Sequence, residues 1–365
     1  MDASHKFLLE KAWSSSDRQG DDCLIRDDLN YICREWKSKT FELWEEVCAD
    51  ASTGGGHFHV LMTQRRALLE GIALARRPET RDDAAAAKWE VATNEITKRL
   101  EMFWNPTGLL DREGGTRDRD NINWNDERRL SAISRAVLNA PHVVPTLSRV
   151  SGQRKPTQAD CSVLLGFTHG FDGELGAKED DTWEPWSDRS LATLNRILDV
   201  FAAVYPVNEG LDHEKAQVLI GRYPEDVYDG VGQSIGNPWF LCTFAVSTIL
   251  SLTAAHYTQT SLPIQVTPFN FGLLQKAFSG NIPQSAATTT TSYHRGSRQW
   301  EGILAGLRRM AEESLLTAAR FADRKESKMS EQIDRYTCKM RGARELSWNY
   351  AAFLSAHQAR AALIA

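Results

Sequence analysis

Apolar residues recur at helical spacing along most of this 365-residue chain, and this periodicity constrains the fold more than any other feature. Two stripes follow the three- and four-residue steps of an amphipathic helix: Leu24, Ile25, Leu29, Ile32, Cys33 and Trp36 in one, and Trp89, Ala92, Ile96, Leu100 and Phe103 in the other. Further helices are predicted over Thr63–Ala75, Asp160–Gly170, Arg189–Val204, Pro238–Tyr257, Arg298–Ala322 and Glu345–Ala362. Convincing alternating strands are absent from the sequence. We therefore predict an all-α fold of helical hairpins packed in layers.

Helix starts and connections refine this organisation. Ser187 is a predicted cap for the helix that follows it, and Pro238 occupies a position where a first-turn proline is tolerated. Long connections rich in turn-forming residues separate the helices: Ala51–Gly56, Gly114–Asn125, Phe171–Trp186, Asp226–Asn237 and Phe278–Ser297. Loops of this length in a helical domain usually carry function. No composition break marks a linker, and the length alone allows either one large domain or two of medium size.

Charge and hydropathy exclude several classes of protein. The formal net charge is -5 and the basic residues are spread along the chain, so nucleic acid is not an expected partner. Polar residues interrupt Pro238–Ala255, the longest apolar stretch, which indicates a buried helix rather than a membrane span. Met1–Ser14 has no secretory apolar core. The six cysteines form no Cys-x-x-Cys pair, which excludes the common zinc spacings and leaves the redox compartment open. No metal site and no cofactor are predicted.

One candidate for acid–base chemistry is Phe41–Val47, where Glu42, Glu45 and Glu46 alternate with large apolar residues. Apolar surroundings and neighbouring like charges both disfavour ionisation, so a carboxyl group here can stay protonated near neutral pH, as a general acid requires. The same pattern also fits a helix end with exposed glutamates against a buried tryptophan. These residues alone leave both interpretations open.

A second candidate is Met329–Asp334, which follows a long predicted helix and contains Glu331. A serine followed by acidic or amide residues is also common at the start of a helix. By itself, this segment is therefore compatible with either a catalytic carboxylate or a helix cap.

Taken together and in order, several segments resemble motifs of the glucoamylases (glucan 1,4-alpha-glucosidases) of glycoside hydrolase family 15. Leu43–Val47 resembles the catalytic-acid motif, and Met329–Gln332 resembles the catalytic-base motif. Gly221–Tyr228, followed by Gly236–Leu241, resembles the substrate-binding stretch. Ala343–Ala352 is similar to the last helix of the barrel. The Arg-Tyr-Pro-Glu-Asp sequence with Asn-Pro-Trp-Phe is the most specific of these motifs.

The resemblance implies an (α/α)6 toroid and an inverting hydrolase that releases β-glucose from the non-reducing ends of α-1,4 glucans and, slowly, α-1,6 glucans. Glu45 is then the general acid and Glu331 the general base, and their carboxyl groups are expected to face each other at roughly 6.5–9.5 Å. Glu42 stands where the family usually has Asp, with a supporting or even basic role. The implied substrate-binding residues are Leu43, Trp44, Glu46, Arg222, Tyr228, Trp239 and Trp348.

The acid motif begins at position 43, whereas it lies well inside the domain in the family. The resemblance thus implies that residues 1–365 form a single catalytic domain. We expect this domain to lack the first helices of the toroid and the Arg-Asp pair that grips the terminal glucose. A chain of this kind is expected to be poorly soluble and to have at most trace activity. The family also implies starch and maltooligosaccharides as partners, secretion, and a monomer when complete, with no starch-binding domain here. An inactive, weakly glucan-binding remnant and a trehalase-like glycosidase are the alternatives.

Overall fold

The computed structural model describes Trp13 and residues 24–109, 133–176, 178, 181–323 and 325–363. The chain divides into two compact units. Unit 1 comprises Met1–Phe103, Thr146–Gln153 and His169–Asp172, and unit 2 comprises Trp104–Pro145, Arg154–Thr168 and Gly173–Ala365. The organisation of residues 1–365 as a single domain stays a prediction.

Helices dominate the part of the chain that the structure describes. They are α1 (Leu24–Glu35), α2 (Phe58–Ala75), α3 (Asp83–Leu100), α4 (Arg135–Leu138), α5 (Cys161–Gly170), α6 (Asp188–Val204), α7 (Phe240–Thr260), α8 (Phe271–Ala277), α9 (Arg298–Ala319) and α10 (Ser347–Ala361). The strands are β1 (Lys39–Phe41), β2 (Val47–Asp50), β3 (Gly56–His57), β4 (Trp104–Asn105), β5 (His142–Val143), β6 (Thr146–Leu147), β7 (Arg149–Gly152), β8 (Ile264–Val266), β9 (Thr291–Tyr293), β10 (Gln332–Ile333) and β11 (Met340–Arg341).

Unit 1 packs α1, α2 and α3 together beside a small antiparallel sheet. Trp89 of α3 and Leu68 of α2 are fully buried in this helical layer, and Leu29 of α1 lies close to Gly71. The sheet has the strand order β1-β2-β7, and a separate pair joins β3 to β6. Because each strand is two to four residues long, alternation of apolar and polar residues could not reveal these strands in the sequence.

Unit 2 is built around α7, which is buried almost continuously from Phe240 to Tyr257. This helix is long and apolar enough to cross a membrane, but 94% of its most apolar stretch is buried inside the protein. Helices α9 and α10 pack against it. Several of its polar residues are accommodated by hydrogen bonds: Thr248 and Thr253 donate to carbonyls one turn earlier, and Ser247 donates to the Ala311 carbonyl of α9. Buried hydroxyl groups are tolerated when they are paired in this way.

The predicted helices are all present, with shifts of a few residues at their ends. Ser187 caps α6 as predicted, because its hydroxyl accepts a hydrogen bond from the Ser190 N–H. The placement of Pro238 in the first turn of a helix is wrong. Helix α7 begins at Phe240, and Pro238 instead pairs with Gly221 in an isolated antiparallel bridge. The predicted connection Gly114–Asn125 lies outside the described residues.

Close packing of α9 against α8 yields a test of the fold. Alanine normally stabilises a helix interior relative to glycine by about 1 kcal/mol. At Gly306, however, an added Cβ would lie 1.6 Å from the Ala277 carbonyl oxygen. We therefore expect Gly306→Ala to lower the free energy of unfolding by about 1–3 kcal/mol, as overpacking does. Urea unfolding measures this change.

The matched control for Gly306→Ala is Ala305→Gly at the neighbouring exposed position of the same helix. It reports helix propensity alone and is expected to cost about 1 kcal/mol or less. A Gly306→Ala protein more stable than the wild type would contradict the close approach of the two helices.

Candidate active site

In unit 1, the sequence candidate Glu42–Glu46 forms the loop of a β-hairpin. Strands β1 and β2 are antiparallel with Phe41 opposite Cys48, and the Glu42 N–H donates to the Val47 carbonyl at 3.0 Å. Strand β7 pairs with the other edge of β2. The interpretation of this segment as a helix end is therefore wrong, because the glutamates project from a hairpin held on both sides by short strands.

Glu42 organises this loop from within. Its side chain is only 6% exposed, and its Oε2 accepts a hydrogen bond from the Trp44 N–H at 2.8 Å. Its Oε1 accepts from the Glu46 N–H at 3.3 Å. A carboxylate that accepts backbone N–H groups satisfies donors that would otherwise be unpaired at a tight turn. The buried carboxyl group of the motif is thus Glu42, and its bonds shape the segment that carries Glu45.

Glu45 lies at the exposed position of the loop, with a φ of 61°. Its N–H donates to the Glu42 carbonyl at 2.9 Å. Left-handed backbone at a residue other than glycine costs of order 1–3 kcal/mol and is enriched at functional sites. Around it, Trp44 is buried, while Leu43 and Glu46 are half-buried. The apolar shielding expected from the sequence therefore falls on Glu42 rather than on Glu45.

In unit 2, Glu331 immediately precedes β10 and is buried, with 8% of its surface exposed. Its N–H donates to the Ala343 carbonyl at 2.8 Å, next to the antiparallel pairing of β10 with β11. Met329 and Ile333, two positions to either side, are buried in one apolar cluster with Phe240. Burial of these two side chains holds the segment in place. The helix-start interpretation of Met329–Asp334 is therefore wrong.

The Glu331 carboxyl group has a specific donor. The Tyr228 hydroxyl donates to Glu331 Oε2 at 2.9 Å. Burial raises the pKa of Glu331 above its ordinary value, and the Tyr228 hydrogen bond and the charge of Arg222 partly oppose this rise. Burial and the neighbouring carboxylate raise the pKa of Tyr228 to about 12, so its phenol stays protonated as a donor. A carboxylate whose pKa is raised towards neutrality is a better-matched general base.

Gly342 leaves room for this carboxylate. Its φ is 79°, and a Cβ at this position would lie 2.3 Å from Glu331 Oε2. Both the backbone conformation and the close approach favour glycine here. The site therefore depends on the absence of a side chain at Gly342 as well as on the residues that touch Glu331.

Arg222 is held by a buried ion pair with Asp226. Arg222 Nε donates to Asp226 Oδ2 at 2.8 Å, and Arg222 Nη2 donates to Oδ1 at 2.6 Å. Both side chains are at most 5% exposed. The guanidinium also lies 5.3 Å from the Tyr228 ring centre and 5.5 Å from that of Trp239. Sequence reasoning missed Asp226, although its place four residues after Arg222, beyond Pro224, could have indicated the pairing.

Two asparagines that sequence reasoning also missed connect the segments of the site. Asn237 donates to the Gln332 side chain at 2.9 Å and accepts from the Arg335 N–H at 3.1 Å. Asn349, in the first turn of α10, donates to the Ser330 carbonyl and accepts from the Leu241 N–H. Trp348 precedes Asn349 and is half-buried. The starts of α7 and α10 are therefore both bonded to the Glu331 segment.

The structure brings Glu331, Tyr228, Arg222 and Trp239 together in unit 2 through direct contacts. It brings Glu42, Trp44 and Glu46 together in unit 1. Among the described residues, no group of three or more histidines, cysteines or acids is arranged to hold a metal ion. The five cysteines within the described residues are free thiols, and Cys23 lies outside the described residues.

The Arg222–Asp226 pair yields a stability prediction. Removing one partner of a buried ion pair leaves a buried charge without its counter-ion and costs about 3–5 kcal/mol. We expect Asp226→Ala to lower the free energy of unfolding by this amount in urea titrations. The matched control is Asp212→Ala, which removes a solvent-exposed pair with Lys215 and should change stability little. Equal effects of the two substitutions would contradict the structural role of the buried pair.

Comparison with known proteins gives a consistent result. Residues 1–358 match the family model described as Glycosyl hydrolases family 15. A probable glucoamylase of Schizosaccharomyces pombe is 29% identical over 92% of this chain and 57% of its own length. Glucoamylase 1 of Rhizopus oryzae is 27% identical over 92% of this chain and 46% of its own length. The chain thus spans about half the length of the curated relatives that it matches.

Among solved structures, the glycoside hydrolase family 15 glucoamylase of Hypocrea jecorina matches with a TM-score of 0.71 and 27% identity, over 93% of this chain and 47% of that one. Glucoamylases of this family have an (α/α)6 fold, so the predicted fold class is confirmed. The order of the motifs, the site around Glu331 and the family match over nearly all of the sequence agree: the chain belongs to glycosyl hydrolase family 15.

Proposed function

We propose that this chain is a glucan 1,4-alpha-glucosidase that releases β-glucose from the non-reducing ends of starch and maltooligosaccharides by inversion. The observation that carries the proposal is the environment of Glu331. It is a buried carboxylate with a raised pKa, and it accepts a hydrogen bond from Tyr228 beside a cation and two aromatic rings. Membership of family 15 and the relatives named as glucoamylases support the choice of substrate.

In the proposed mechanism, Glu331 takes a proton from a water molecule as that water attacks the anomeric carbon. Glu45 donates a proton to the glycosidic oxygen, so the leaving sugar departs as a neutral alcohol. Attack on the face opposite the leaving group inverts the anomeric configuration. The separation of the two carboxyl groups, roughly 6.5–9.5 Å for an inverting enzyme, stays a prediction.

The remaining residues support binding in this proposal. Glu42 shapes the hairpin loop, and Leu43, Trp44 and Glu46 line it. Tyr228 orients Glu331, while Arg222 offers its planar donors to sugar hydroxyls from a position set by Asp226. Trp239 and Trp348 supply flat apolar faces that suit the C–H faces of glucose. Secretion and a monomeric state also stay predictions.

The first test is turnover and its stereochemistry. Proton NMR of maltotriose early in digestion should show β-glucose before mutarotation. Glu331→Gln should lower kcat by roughly 10²–10⁴-fold with maltotriose binding nearly intact, because the base acts in the transition state. Glu45→Gln should also abolish most of the turnover of maltotriose.

Glu326→Gln, an exposed acid paired with Lys328, is the matched control and should leave kcat unchanged. Appearance of α-glucose first would contradict inversion. Absence of glucose release by the wild-type chain would instead favour an inactive, glucan-binding member of the family.

A pH profile tests the role of Tyr228. Its hydrogen bond lowers the pKa of Glu331, opposing the rise that burial causes. Tyr228→Phe removes the bond, so the pKa of Glu331 should rise further. Because a general base works only when ionised, the acidic limb of kcat/KM against pH should move to higher pH. Tyr336→Phe, at an exposed ring in the same unit, is the control. An acidic limb that stays in place or moves to lower pH would refute this role.

A further inference from the structure

A cavity of about 430 Å³ lies at the C-terminal end of α7. It is lined by aromatic, acidic and amide side chains, among them Asp181, Trp186, Asp188, His256, Tyr257 and Gln265. Its volume is within the range of small-molecule sites in proteins. All of these residues belong to unit 2.

This cavity is separate from the Glu331 site. Helix α7 begins at Phe240, directly after Trp239, whereas His256 lies sixteen residues further along the same helix. At 1.5 Å per residue, the two ends are about 24 Å apart along the helix axis. A molecule in the cavity therefore cannot touch Glu331, and the residues that line the cavity have no part in the proposed hydrolysis.

The aromatic wall of the cavity is built before any ligand arrives. The rings of Trp186 and His256 stack with their centres 4.1 Å apart and their planes 9° from parallel. His256 Nδ1 bonds to the Leu175 carbonyl at 2.9 Å, which requires a proton on that nitrogen. Burial lowers the pKa of His256, so the ring is neutral near pH 7. Nε2 then carries the lone pair of the ring and can act as an acceptor.

The acidic side of the cavity is also rigid. The Thr267 hydroxyl donates to Asp188 Oδ2 at 2.8 Å, and the Asn270 amide donates to Oδ1 at 2.6 Å. Each carboxylate oxygen keeps a further lone pair for a ligand donor. Asp181 is exposed at the rim. The carboxylates of Asp188 and Asp181, together with the His256 ring, are hydrogen-bond acceptors. They therefore favour a ligand that donates several hydrogen bonds.

Other residues that line the cavity supply donors and apolar surface. The Arg189 guanidinium lies 4.5 Å from the Trp183 ring centre and borders the cavity. Burial raises the pKa of Tyr257, so its hydroxyl stays protonated as a donor. Gln265, exposed on β8, offers both an amide donor and a carbonyl acceptor. Two carboxylates against one guanidinium disfavour phosphates and other anions.

A neutral sugar matches this lining, because each of its hydroxyls both donates and accepts hydrogen bonds, and the cavity offers acceptors and donors side by side. We propose that the cavity is a second, non-catalytic binding site for a neutral mono- or disaccharide. The proposal uses the proposed function only to select maltose as the probe. The site would hold a glucan end away from the residues that cleave it.

The test is a calorimetric titration of maltose into the full chain carrying Glu331→Gln, which prevents turnover. Adding Asp181→Asn and Gln265→Ala removes two rim contacts without disturbing the buried stack. We expect maltose to bind two sites in the parent and one of them to weaken about tenfold or more in the cavity variant. That fold-change corresponds to about 1.4 kcal/mol. The matched control adds Glu301→Gln and Gln358→Ala, an acid and an amide exposed on α9 and α10.

Two results would overturn the proposal. One is a maltose isotherm identical in the parent, the cavity variant and the control. The other result is that a simple amine such as butylamine binds the parent but not the cavity variant, while maltose binds both equally. The carboxylates would then select a cation rather than a sugar. Failure of the proposed hydrolysis would appear separately, as no glucose release by the wild-type chain, and would leave this titration interpretable.

Discussion

The buried pair between Arg222 and Asp226 is the interaction on which the rest of the unit 2 site depends. Asp226 accepts two hydrogen bonds from the guanidinium and a third from the Tyr228 N–H. The same pair therefore sets both the position of the cation and the direction of the Tyr228 side chain. Tyr228 in turn donates to Glu331, so the ion pair helps to orient the carboxylate that is proposed as the base.

The buried Arg222–Asp226 pair is supported by hydrogen bonds of the surrounding backbone. The Cys161 N–H donates to the Arg222 carbonyl, and the Gly236 N–H donates to the Asp226 carbonyl. Gly221 pairs with Pro238 just before α7 begins. Each bond links a different part of the chain to the same turn. A buried ion pair offsets its desolvation cost only when its geometry and remaining hydrogen bonds are this complete.

Two opposed effects act on the pKa of Glu331. Burial raises its pKa, whereas the Tyr228 hydrogen bond and the Arg222 charge lower it. An apolar pocket without these partners would hold the carboxyl group protonated and unable to act as a base. A fully solvated carboxylate would be ionised but weakly basic. The packing of Met329 and Ile333 into the apolar core sets the burial, and the polar network limits its effect.

The sequence by itself determined the helices and indicated the segments that are proposed to carry the chemistry. Helical periodicity located α9, which is amphipathic, whereas the long apolar stretch from Pro238 to Ala255 located α7, which is buried on all sides. The Arg-Tyr-Pro-Glu-Asp motif and the two glutamate motifs indicated the family. Only the tertiary structure decided that Glu42–Glu46 forms a hairpin loop and that Glu331 precedes a strand. Strands of two to four residues are specified by partners distant in the chain, and no local pattern records them.

The same distinction separates the site residues that were predicted from those that were missed. Arg222 and Glu331 were predicted because they are charged residues within motifs that the sequence alone displays. Asn237 and Asn349 were not, because an asparagine reveals its role only through the groups that it joins, here the Gln332 side chain and the Ser330 carbonyl. The cavity beside His256 likewise unites residues more than 80 positions apart. Sequence determines which groups exist, and packing decides which of them meet.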